Sequence, residues 1–482
     1  MAIAQQLPIN TGASATQMAQ TIFGNGATVV GATYVGDNRS SGIFTQGNTV
    51  TPGVTPSDTG VILSTGRAKD FTNNSGTTNT NVSPWTSTNT GGVNNDPNFN
   101  ALAGTNTYDA SYLQVDFIPT GNVVTLDFRL ASEEYPEWVN SQYNDVVGMW
   151  VNGVQANVSV QGNTASIGNI NGGNAANLYV DNTADQYNTE MDGFTITLTF
   201  TAPVNPGVVN TLKIGVADTS DSLYDTNLLI AAGSVQTAIV AMDDTANAGL
   251  NSSKIIDVLA NDIGQPTMFV THINEVAVNP GDTVTLATGQ TVTLNADGTL
   301  TVNTTGTLET INFTYTMQDG AGLTDTGMVT LTQMACFTAG TLIATPDGER
   351  PIETLNPGDL VLTLDDGPQP IRWIGTRTVP ARGAFAPVRL APGALGEERE
   401  IVVSPQHRML VRGAWAELLF GVEEVLVRAL DLVNGRTITR IADGRPVAYV
   451  HMMFDRHQIV LANGRPSESF LPGPMSRDAF EA

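Results

Sequence analysis

The chain has 482 residues, a formal net charge of −25 and a single cysteine. One sulfur excludes an intramolecular disulfide and a zinc site built on several thiolates, and the acid excess excludes nucleic acid and anionic membranes as partners. No run approaches the roughly 18 apolar residues that cross a bilayer as a helix.

At roughly 100–200 residues per domain the length predicts three domains. The opening MAIAQQLPINTGASATQ has neither a basic region nor an apolar core, so no cleaved Sec signal is expected. The first two-thirds is rich in Thr, Asn and Gly and nearly free of Lys. That composition predicts an exported bacterial protein, secreted or on the cell surface, that leaves without such a signal.

Ala15, Met18, Ala19 and Ile22 fall on one helical face, with Gly24 as a stop, predicting a short helix over 14–23. The stretch Asn73 to Gly104 reads as long surface loops. Val124, Leu126, Phe128 and Leu130 alternate with polar residues, and Phe194, Ile196, Leu198 and Phe200 alternate with threonines. Period two with one apolar face predicts half-buried strands of an antiparallel sandwich. The fold class is all-β: a β-sandwich over 1–238, an immunoglobulin- or cadherin-like sandwich over 239–333, and a third β domain over 334–482.

Within the first domain, Glu133, Glu134 and Asp145 cluster in LASEEYPEWVNSQYNDVV, with Asp218, Asp221 and Asp225 near its end. Three readings stand: a solvated turn, a Ca²⁺ site drawing on Glu133, Glu134, Asp145 and Asp225, and a glycosidase carboxylate pair. SGIFTQG, GVILSTG, DFRLASEEYPEWV and TNLLIAAGSV resemble the bacterial choice-of-anchor L domains. The resemblance implies a β-sandwich on exported proteins with no activity of its own. In the second domain, DVLANDIG, NADGTLTVN and FTYTMQDG resemble immunoglobulin- or cadherin-like repeats of extracellular proteins. Asp243, Asp244, Asp262, Asp319 and Asp325 are open to two readings there, Ca²⁺ at a domain end or plain turn chemistry.

Composition changes at Cys336. Six of the 21 basic residues precede it and the other 15, all Arg, follow; three of four histidines follow too. A lone cysteine is either an inert buried thiol or a nucleophile. Placed after Ala335 at a domain junction, its thiolate can attack the Ala335 carbonyl and convert the peptide bond to a thioester. That step is uphill, so a hydroxyl must orient the amide and an imidazole must protonate its nitrogen. Ser404 and His407 in IVVSPQHRMLV supply such a pair.

CFTAGTLIATPDGERPIETLNPGDLVLT, SPQH and VAYVHMMFDRHQIVLANG, in that order, resemble the Hint family of Hedgehog autoprocessing domains and inteins. The resemblance implies Cys336 as nucleophile, His407 as proton donor and Ser404 as its hydroxyl neighbour, where the family more often has Thr. It puts His451, Asp455 and His457 in the late block and Ala335 at the scissile carbonyl. No terminal His-Asn pair follows, so ligation of flanking segments is not expected, and the short tail does not predict sterol transfer. Self-processing would need no cofactor. The thioester would pass to water or to an amine or thiol acceptor. The competing reading is a non-catalytic surface protein, a Ca²⁺-dependent adhesin with a silent third domain, whose extracellular ligand the sequence does not name.

Overall fold

The computed structural model describes residues 3–74, 86–139, 141–156, 160, 165–248, 252–264, 267–305, 309–333, 336–382, 386–395, 399–405, 407–413, 416–417, 422–456 and 458–469. Nearly all regular structure is β, as expected. Contacts divide the chain into two compact units. One comprises Met1–Asp244, Ile255–Thr301 and Ile311–Thr330, the other Thr245–Lys254, Val302–Thr310 and Leu331–Ala482.

The first unit is built on two antiparallel sheets. In one, Val123–Ser132 lies between Thr226–Ala231 and the successive strands Gly193–Thr195 and Leu198–Pro203. In the other, Thr107–Pro119 and Asn210–Thr219 are central, flanked by Ala27–Val35 and Val146–Val151. Alternation does its work here. Val124, Leu126, Phe128 and Leu130 face Leu113, Val115, Phe117, Leu212, Ile214 and Val216 in one core, and Phe128 stacks on Phe200 at 4.4 Å.

The period-two reading of Phe194 to Phe200 fails at one point. Phe194 pairs with Ala131 but Leu198 pairs with Phe128, a slip of one residue between the two strands. A one-residue slip reverses the faces. Phe194 therefore packs into a second core with Phe44, Phe71 and Leu229, behind the sheet, while Leu198 and Phe200 stay in the first.

The expected helix forms over Ala15–Ile22, closed by a capping box of Ser14 and Gln17. Gly24 serves close approach: a Cβ there would lie 2.0 Å from the Gly233 carbonyl. The loop reading of Asn73 to Gly104 is corrected. Residues 75–85 lie outside the described set, but Pro97–Ala103 is a helix with Asp96 as N-cap, Pro97 in its first turn and Gly104 at φ 71° closing it. The same unit carries Thr310–Gln318 paired with Phe269–Ile273, and the hairpin Thr283–Thr285 with Thr291–Leu294.

In the second unit, one sheet runs in the order Trp373–Pro380, Pro446–Met453, Phe337–Thr338, Ile401–Val403, Val388–Leu390 and Ile438–Arg440. The other includes Leu342–Thr345, Ile459–Ala462, Arg465–Glu468 and Arg408–Arg412. Phe337, Ile343, Val361, Val403, Val450 and Val460 fill the core between them. The two-residue strand Phe337–Thr338 is internal to its sheet, and this position decides the site.

Candidate active site

Strand register assembles the site. Phe337 pairs with Val403 on one side and with Val450 on the other, both antiparallel. One residue earlier, the same registers put Cys336 opposite Ser404 and His451. Three segments distant in sequence are thereby joined by backbone pairing alone.

The Cys336 N–H donates to Ser404 Oγ at 2.9 Å, and the Ser404 N–H donates to the Cys336 carbonyl at 2.9 Å. That N–H belongs to the Ala335–Cys336 peptide bond, so the hydroxyl holds the nitrogen a self-cleavage would release. Cys336 Sγ lies 3.0 Å from His451 Nε2. The thiol is buried beside Val379 and Tyr449. Burial, and secondly the charge of Cys336, push the Tyr449 hydroxyl pKa up. Gly375 pairs with His451, and a Cβ on it would lie 2.3 Å from the Trp373 indole. The glycine thus lets Trp373 fold beside the imidazole, with ring centroids 6.5 Å apart.

His407 is held differently. Its N–H donates to the Ser404 carbonyl and its carbonyl accepts from Ala429 N–H. The ring lies 4.2 Å from that of Phe337. Both ring nitrogens are buried without a hydrogen-bond partner among the described residues. Burial pushes its pKa down to about 4, against an opposing pull from Glu468, so the imidazole is neutral at physiological pH. Glu468 also accepts the Arg408 N–H at 2.8 Å, which fixes the start of the strand after His407.

The other expected residues are distributed. Asp455 sits at an exposed bend, ion-paired with Arg372 at 2.6 Å. Ala335 and His457 lie outside the described residues. Sequence reasoning did not single out Tyr449, Trp373 or Glu468. Their signal is positional, since Tyr449 is two residues before His451 and so shares its side of the strand.

In the first unit, the reading of the acidic block as a solvated turn is wrong. Glu133, Glu134, Asp145 and Asp225 are all buried, none above 2 % exposed. No three His, Cys, Asp or Glu side chains among the described residues are gathered as a metal-ligand group. The acids of the following segment act as local acceptors. Asp262 takes the Tyr315 hydroxyl and the Met242 N–H, Asp319 takes Ala321 and Leu323 N–H, and Asp243 takes Met328 N–H. Among the described residues no helix is long and apolar enough to cross a membrane.

Three family models match the chain: the Choice-of-anchor L domain over residues 8–236, the Bacterial Ig domain over 236–332 and the Hint domain over 335–474. The last spans the strands that gather Cys336, Ser404 and His451. The C-terminal region is a Hint domain. Solved structures similar to it include the MchDnaB-1 intein, at 14% identity over 28% of this chain and 99% of that one, with a TM-score of 0.21. The gp41-1 intein matches at 16% identity over 28% and 98%, TM-score 0.18. A bacterial intein-like domain from Clostridium thermocellum matches at 20% over 28% and 99%, TM-score 0.21. Comparison with curated proteins finds no match.

Proposed function

We propose that the Hint domain cuts its own chain at Ala335–Cys336, releasing or transferring the N-terminal region of an exported bacterial surface protein. The observation that carries this reading is the double engagement of Cys336. Its amide nitrogen is held by Ser404 Oγ at 2.9 Å, while its sulfur meets His451 Nε2 at 3.0 Å.

His451 Nε2 accepts the thiol proton, and Sγ adds to the Ala335 carbonyl carbon. The C–N bond then breaks as the nitrogen, oriented by Ser404, takes up one proton. The products are a thioester between Ala335 and Sγ and a free amine on Cys336. The thiol proton has moved to nitrogen, so the step is a balanced isomerisation. Water, an amine or a thiol next attacks the thioester and frees Sγ. His407, neutral and packed on Phe337, fits a relay that passes a proton towards the leaving nitrogen better than a standing cation. The choice-of-anchor and Ig domains ahead of the cut support a secreted or surface cargo.

Intact-mass spectrometry of the full chain and of Cys336→Ala, His451→Ala and His407→Ala tests this reading. Cleavage after Ala335, faster with hydroxylamine or thiol and absent in Cys336→Ala, is expected. A full-length mass under every condition would leave the competing reading of a silent surface protein.

A further inference from the structure

The ends of both sheets of the first unit bring together acids that lie far apart in sequence. Ala217 pairs with Val146, so one residue on, Asp218 stands opposite Asp145. Ser132 pairs with Thr226, and the Glu133 N–H donates to the Asp225 carbonyl at 3.3 Å. Asp145 is the best anchored of the group. Its Oδ1 accepts the Thr219 N–H at 2.8 Å and its Oδ2 the Thr226 hydroxyl at 2.6 Å. Asp218 reaches both Asp145 and the Thr65 side chain.

Three oxygens remain unused. Asp218 Oδ1, Glu134 Oε2 and Asp225 Oδ2 are shielded from solvent with no hydrogen-bond partner among the described residues. Asp218, Glu134 and Asp225 are each 2 % exposed or less. None of the ion pairs among the described residues involves them. Burying adjacent carboxylates without a cation is expensive. The charge is removed either by protons or by a metal ion.

We propose that Asp145 and Asp218 hold a hard divalent cation of the calcium class, with Glu134 and Asp225 beside it. Two carboxylates balance a dication, and every donor in reach is oxygen, which excludes the soft metals. As the side chains lie, the site is a carboxylate pair and not a ready cluster of three. Calcium accepts this because it takes 6–8 oxygens in flexible geometry, hydroxyl, carbonyl and water oxygens included. The position differs from the set read from sequence by its dependence on Asp218.

The test uses the full-length Cys336→Ala chain stripped with EDTA, followed by calorimetric titration and melting with millimolar CaCl₂. Saturable binding and a rise of about 3–6 °C in the melting temperature of the first unit are expected. Asp218→Asn should abolish both, while its EDTA melt stays at or above that of the parent. Should that variant not fold, the metal content of the parent after calcium dialysis decides alone. No binding heat, no retained calcium and superposable melts would overturn the proposal and leave shared protons in the pair. A chain that binds calcium yet never cleaves would sink only the self-processing reading; the reverse result would sink only this one.

Discussion

His407 offers a perturbation whose size follows from its burial. The unfolded side chain titrates near 6.5 and the folded one at about 4. Between those values the unfolded chain binds the proton and the native one does not, so stability falls as pH falls. The full difference of about 2.5 pH units corresponds to about 3 kcal/mol, and about 2 kcal/mol of it is already lost at pH 5. His407→Leu removes the titration while keeping an apolar filler against Phe337, for about 1.5 kcal/mol or less at pH 7. The assay is urea unfolding of the second unit in a Cys336→Ala background at pH 7, 6 and 5, with and without His407→Leu. The parent should lose about 2 kcal/mol more than the variant across that range. Equal slopes would refute the neutral, desolvated imidazole and, with it, the relay assigned to His407.

Ser404→Ala removes the hydroxyl that accepts the buried Cys336 N–H. It should cost about 1–3 kcal/mol in stability and slow thioester formation at least about tenfold, followed by hydroxylamine trapping; Ser404→Thr should retain most of the rate. Removing the imidazole at the sulfur with His451→Ala should slow cleavage about 10²–10⁴-fold at neutral pH, read from time-resolved intact masses. The first unit should respond to pH with the opposite sign to the second. Burial pushes both Asp127 and Asp225 up to about 7, so their contribution is complete in acid and is lost as pH rises from about 4 through 7. Calorimetry in EDTA should show its transition moving down between pH 5 and 8 while that of the second unit moves up. Phe128→Ala, which empties the stack on Phe200, should cost the first unit about 3–5 kcal/mol, measured by the same calorimetry.

What the sequence announced and what it hid differ in physical kind. Alternation at Val124–Leu130 was legible because burial on one face repeats every second residue. The reversal at Phe194 was not, because a slip in pairing leaves the apolar pattern intact. The helix over Pro97–Ala103 had its signals in plain view, an Asp before a Pro and a Gly seven residues on. They were masked by the Asn- and Gly-rich composition around them. Cys336 and Ser404 stood out as a rare residue and a motif. The sulfur's partnership with His451 depends on register between the strands, which local spacing does not encode. Glu134, Asp145 and Asp218 looked like surface acids because isolated carboxylates usually are. Only the convergence of two sheet ends buries them.

The internal place of the Phe337–Thr338 strand has a consequence for what would remain after the proposed cut. Its pairing with both neighbours lies wholly downstream of Ala335–Cys336, so a domain cut there as proposed would keep these pairings and start at Cys336. It then presents a primary amine and a thiol on adjacent carbons, a bidentate nucleophile that condenses with aldehydes to a five-membered ring and recaptures thioesters. Such a remnant would be chemically addressable at one atom pair, and a thioester-bearing dye would mark any chain cut in this way.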